Sequence, residues 1–118
     1  MTSKTFKYIE IRNANAYSVE YTFSGHALAR CQQRGITKAM VHIAMKYGKV
    51  IYKQGLAFYY VTSSSLPLAI DQQTRSRVNN VVVIVNEEDC QIVTSYRCSK
   101  GMLHIRKKSK SLSVYAVA

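Results

Sequence analysis

His26, Arg30 and Arg34 recur at four-residue intervals in the stretch Ser24–Thr37. On an α-helix that spacing lays side chains along one side. The stripe holds one imidazole, the side chain that exchanges protons near neutral pH. It also holds two guanidiniums, whose planar forks grip phosphate oxygens in pairs. Gln33 falls beside them, while Leu28 and Cys31 point the other way, toward a core. Such a stripe can hold a phosphate.

The elements that must position this stripe are readable around it. Ser24 is placed to cap a helix over about 25–34, Gly35 to end it, and Thr37 to cap the next helix, over about 38–47. The second helix carries an apolar stripe of Met40, Val41, Ala44 and Met45, with Lys38, His42 and Lys46 on its polar edge. Upstream, residues 5–12 and 16–23 read as strands around a turn at Asn13-Ala14-Asn15. Downstream, 49–53 and 56–62 flank Gln54-Gly55. Residues 63–80 read as a loop with one helical turn after Pro67, carrying Arg75 and Arg77. Val81 to Asn86 is a continuous apolar run and so a central strand. Glu87-Glu88-Asp89 turns the chain, and Gln91 to Arg97 returns. Regular alternation puts Ile92, Thr94 and Tyr96 on one face of that strand. Gln91, Val93, Ser95 and Arg97 share the other, and their polarity places Arg97 on the open face of the sheet.

The totals set the class of partner. The chain has 118 residues, 47% of them apolar, which is enough for a single domain over 1–118 with an ordinary core. Lys and Arg outnumber Asp and Glu by 17 to 6, for a net charge of +11. That imbalance favours polyanions, nucleic acid first. No apolar run approaches the length of a membrane span, and the first residues lack the apolar stretch of a secretory signal. A cytoplasmic location is expected. Cys31, Cys90 and Cys98 are odd in number and lack the close pairing of a zinc site, so they read as buried or idle thiols, and no metal or cofactor is expected. The tail over 99–118 is a basic extension containing Arg106-Lys107-Lys108-Ser109-Lys110.

The blocks His26-Ala27-x-x-Arg30, Arg34-Gly35-Ile36-Thr37 and Gly48-Lys49-Val50, followed by the paired apolar strands, resemble the bacterial family described as domain of unknown function 4258. The resemblance covers about residues 22–97. That family is similar to small toxin RNases of the RelE and barnase-like fold group, several of which cut RNA without metal. The resemblance implies an α+β fold: an N-terminal β-hairpin and two short helices packed on an antiparallel sheet of about four strands.

It also implies a chemistry. Metal-independent RNA cleavage needs a base for the 2′-hydroxyl, cations for the phosphorane and an acid for the leaving 5′-oxygen. On this reading His26 is the base and Arg30, Arg34 and Arg97 hold the phosphate. Tyr96 donates a proton or stacks on a base. No second imidazole is brought to His26 by any pattern; His42 and His104 are candidates by type only. Lys46, Tyr59, Arg75, Arg77, Arg106, Lys107 and Lys108 are the wider nucleic-acid contacts, with one of Tyr59 and Tyr60 offering a stacking face and the other buried. The partners implied are RNA and an acidic antitoxin or immunity protein that covers the basic site. Two other readings use the same residues: a non-catalytic nucleic-acid-binding or regulatory module, and a domain whose charge recognises an acidic protein.

Overall fold

The Ser24 hydroxyl accepts a hydrogen bond from the Ala27 amide at 3.0 Å and starts α1, Gly25–Arg34. Gly35 ends it at φ 65°, in the left-handed region where a side chain would be strained. The Thr37 hydroxyl accepts from the Met40 amide at 3.2 Å and starts α2, Lys38–Tyr47. Both helices and both caps stand where the sequence puts them. This computed structural model describes residues 5–12 and 15–100. The centre of the expected hairpin turn, at Asn13 and Ala14, lies outside the described residues, as does the chain beyond Lys100.

Six strands follow the expected segments closely: β1 Thr5–Arg12, β2 Asn15–Phe23, β3 Lys49–Lys53, β4 Leu56–Tyr60, β5 Val81–Asn86 and β6 Gln91–Arg97. They form one sheet in the order β1-β2-β6-β5-β4-β3. The α+β class stands, but the sheet is larger than the four strands expected and is not wholly antiparallel. The N-terminal hairpin joins it through a short parallel ladder, Thr22↔Gln91 and Phe23↔Ile92. A two-stranded hairpin is marginal alone, and the end of β2 supplies the anchor by burying Tyr21 and Phe23 to 2% exposure.

A third helix, α3 (Gln72–Val78), stands in the segment read as a loop with one helical turn after Pro67, and it runs for seven residues. Asp71 starts it by accepting from the Thr74 amide at 3.2 Å and the Thr74 hydroxyl at 2.6 Å. The helix buries only Val78. It therefore shows no apolar stripe to a periodicity reading.

Strand alternation divides the core. Ala57, Tyr59, Val61, Val81, Val83, Val85 and Ile92 pack under the helices with Ala27, Cys31, Met40, Val41, Ala44, Met45 and Val78. Phe58, Tyr60, Val82 and Ile84 form a second cluster on the opposite face. One irregularity matters for the site. Val85 pairs with Ile92 and Ile84 with Thr94, so Val93 is an extra residue in β6. Such a bulge shifts the alternation by one. Ile92 therefore packs under the helices while Tyr96 packs with the second cluster, and the expected shared face of Ile92, Thr94 and Tyr96 is broken.

Candidate functional site

β6 outruns its neighbour. The β2 ladder stops at Ile92, leaving the carbonyl edge of later β6 residues open. α1 lies along that edge and closes it from both ends. At its start, the Ser24 amide donates to the Ile92 carbonyl at 3.2 Å. At its finish, Arg34 Nη1 donates to the Ser95 carbonyl at 2.7 Å.

Arg97 returns the contact. Its Nη1 donates to the Arg34 carbonyl at 2.7 Å and its Nη2 to the Arg77 carbonyl at 3.1 Å. These carbonyls belong to the last turns of α1 and α3, where intrahelical donors run out and the helix dipole favours a cation. Arg97 therefore lies on the helix-bearing face, opposite Tyr96, and not on the open face where its polar neighbours placed it. Register explains the correction: Arg97 pairs with Val81, whose side chain packs under the helices.

Arg34, Tyr96 and Arg97 together line an open cavity of about 430 Å³. Among the described residues, each hydrogen bond that Arg34 and Arg97 make runs to a neutral backbone carbonyl. Among these contacts no carboxylate pairs with either guanidinium, and each has donors left over for an anion. Tyr96 is half-buried. Burial pushes its phenol up, nearby Cys98 adds to this, and Arg34 pulls it partly back. The phenol therefore holds its proton through neutral pH. The acidic turn Glu87-Glu88-Asp89 lies at the far end of β6 from this cavity.

His26 and Arg30 occupy the same side of α1, and both are exposed. Arg30 Nη1 reaches Gln33 Oε1 at 3.4 Å. Eight residues separate His26 from Arg34, about 12 Å along a helix axis. His26 does not line the cavity. Three of the five residues assigned to catalysis are thus brought together, Arg30 stands one turn away and His26 two.

The wider contact set divides. Lys46 is exposed, its ammonium 5.4 Å from the Tyr47 ring centroid. Arg77 is exposed on α3. Arg75 is consumed by the fold: its guanidinium donates to the carbonyls of Ile70 and Ser63 at 2.9 Å each, and also to those of Leu66 and Pro67. It staples the 63–71 loop and has no fork to spare for a phosphate. Tyr59 is 9% exposed and Tyr60 8%, so neither ring offers a stacking face. Alternation suggests one free ring, but both rings are buried. Arg106, Lys107, Lys108 and His104 lie outside the described residues.

The Tyr59 hydroxyl donates to Glu87 Oε1 at 2.7 Å. Burial first, then that carboxylate, drive its phenol far above the ordinary value. Tyr59→Phe is expected to cost about 1–2 kcal/mol of stability, because Glu87 loses its donor at a partly buried site. A urea midpoint equal to wild type would show that water replaces the phenol.

Of the remaining titratable candidates, His42 is half-buried; burial and then Lys46 push its imidazole down. Cys31 is buried, which raises its thiol, and Cys90 and Cys98 are half-buried; all three are free. Among the described residues, no three or more His, Cys, Asp or Glu side chains form a group that could hold a metal ion. No helix among them is long and apolar enough to cross a membrane.

Comparison with known proteins adds one match. A family model described as a domain of unknown function (DUF4258) covers residues 23–97. The chain belongs to this family. The DUF4258 region begins at the last residue of β2 and ends at Arg97, so it contains α1, the β6 edge and the whole cavity. The β1–β2 hairpin lies almost entirely outside it. No curated protein and no solved structure matches the chain. No sequence signal marks Ser95, whose backbone carbonyl fixes Arg34; only the position of α1 against the free edge of β6 reveals it.

Proposed function

We propose that this protein is a metal-independent endoribonuclease whose scissile phosphate sits in the Arg34–Tyr96–Arg97 cavity. The observation that carries the reading is that Arg34 from α1 and Tyr96 and Arg97 from the end of β6 line one open cavity, with no carboxylate bonded to either guanidinium among the described residues. Support comes also from the +11 charge and from the resemblance of these residue blocks to a family that we read as similar to small toxin RNases. The 2′-oxygen attacks phosphorus and the bond to the 5′-oxygen breaks, leaving a 2′,3′-cyclic phosphate and a 5′-hydroxyl. Arg34 and Arg97 stabilise the charge of the phosphorane. Tyr96 gives its proton to the leaving 5′-oxygen and recovers one from water, while the 2′-hydroxyl proton passes to solvent. His26 and Arg30 hold the neighbouring phosphate along α1. This moves His26 from the base to a binding position. An acidic antitoxin or immunity protein would place carboxylates on the same stripe.

A second reading has one observation in its favour: among the described residues, neither an imidazole nor a carboxylate lines the cavity. Without a base the same surface binds RNA and does not cut it. The two are separated by incubating the full chain with total RNA and with translating ribosomes in excess EDTA. Cleavage to cyclic phosphate ends is expected, reduced about 10²–10³-fold by Arg34→Ala and largely kept by His26→Ala. RNA that stays intact in both settings, yet is retained by the protein with an affinity falling steeply in salt, would leave the binding module.

A further inference from the structure

Asn80 stands between α3 and β5 at φ 67°, in the left-handed region that few residues other than glycine adopt. Its backbone is bonded in both directions. The amide donates to the Val61 carbonyl at 2.9 Å, and the carbonyl accepts from the Cys98 amide at 2.8 Å. The second bond carries the β5–β6 ladder one step past the Val81↔Arg97 pair, and so fixes the main chain that follows Arg97. The turn at Asn80 also sets where α3 ends. Arg77, three residues earlier, accepts Arg97 Nη2 on its carbonyl at 3.1 Å. Arg97 is therefore held from two directions by one short corner: its chain by the Asn80 carbonyl, its fork by the last turn of α3.

A left-handed turn alone asks only for glycine. Asparagine tolerates the conformation, and here its side chain makes a bond of its own. Asn80 Oδ1 accepts from the Tyr60 hydroxyl at 2.9 Å, and that hydroxyl lies 3.5 Å from the Ser99 carbonyl. Tyr60 is 8% exposed and belongs to the cluster against which Tyr96 packs. The side chain of Asn80 thus ties the corner to the face that carries Tyr96, while its backbone ties the corner to Arg97. We propose that Asn80 is the positioning residue of the cavity, aligning the Tyr96 phenol with the Arg97 guanidinium; this rests on the RNase reading of the same site. Among the described residues the cavity is lined by Arg34, Tyr96 and Arg97, so Asn80 acts through its neighbours.

The test uses the full chain with Asn80→Gly, Tyr60→Phe and the double variant. Glycine keeps the left-handed turn and phenylalanine keeps the buried ring, so the fold should survive; urea unfolding gives each folded fraction. Each single variant is expected to lower kcat per folded molecule by about 10–100-fold with KM within about twofold, since the phosphate is still bound but out of alignment. The double variant should be no slower than the slower single one, because both remove the same bond. A kcat that follows only the folded fraction overturns the proposal, and so do losses that multiply in the double variant. A wild type that leaves RNA intact, free and on ribosomes, overturns the RNase reading, and with it this role in aligning Tyr96 for proton transfer. In that event the same variants are read by RNA affinity. A loss of about tenfold, shared in the double variant, keeps Asn80 as the positioner of Arg97, and wild-type affinity removes that role too.

Discussion

Tyr96→Phe is expected to slow RNA cleavage by about 10²–10⁴-fold with RNA affinity unchanged. The substitution removes one oxygen and keeps the ring against Phe58, Tyr60, Val82 and Ile84. It therefore tests proton donation apart from packing. Single-turnover rates at saturating enzyme give the chemical step, and binding isotherms give affinity. A rate close to wild type would make Tyr96 a packing residue. The pH profile supplies an independent check. Burial and Cys98 raise the phenol above its ordinary value, so it stays protonated as an acid must. Activity that needs it should fall only as pH climbs beyond the ordinary phenol range, near 10. Stability follows the same sign. The folded state prefers the neutral phenol, so its contribution is complete below the unfolded value and is lost as pH rises through the folded one. Tyr59 is raised likewise and lies in the same alkaline window.

What the sequence discloses and what it hides differ in kind. Local chemistry was legible: Ser24, Gly35 and Thr37 fix both helices, because caps act within three or four residues of themselves. The apolar runs fix the strands. Three features were not legible. The bulge at Val93 comes from pairing with Ile84 and Val85 of β5, and no alternation in β6 announces it. The attachment of the hairpin rests on two residue pairs nearly seventy positions apart. Arg75 reads as a free cation, because its acceptors are backbone carbonyls, which every residue carries. The candidate site inherits this division. The helical spacing of His26, Arg30 and Arg34 was correct, but spacing puts them in line, and a line two turns long is not one site. Which end of that line meets Tyr96 and Arg97 at the cavity is a tertiary fact. The Arg34–Ser95 and Arg97–Arg34 bonds decide it in favour of the C-terminal end of α1.

Gly48→Ala should be the most destabilising small substitution in the helix–sheet joint. Gly48 has φ −79° and ψ 166°, a conformation open to any residue, so backbone strain is not the reason. Space is. An added Cβ would lie 2.8 Å from the Tyr60 carbonyl oxygen and 3.0 Å from its carbon, and closer still to the Ala44 oxygen. All these atoms are backbone, held by α2 on one side and by the Lys49↔Tyr60 pair of β3 and β4 on the other. No flexible side chain can yield. The Gly48 amide also donates to Ala44 at 2.9 Å, so moving the residue away loses the helix's last bond. Overpacking of this kind costs about 1–3 kcal/mol, seen as a lower urea midpoint with an unchanged slope. Gly25→Ala is the matched control, because a Cβ there meets nothing within 4 Å. It should be neutral or slightly stabilising, as alanine is the better helix former. Equal midpoints for the two variants would mean that the α2–β3 junction relaxes freely, and the close approach of helix and sheet would not be what holds α2 in place. The joint lies away from the cavity residues. The surviving folded fraction should thus cleave RNA at the wild-type rate, which separates a weakened scaffold from a damaged site.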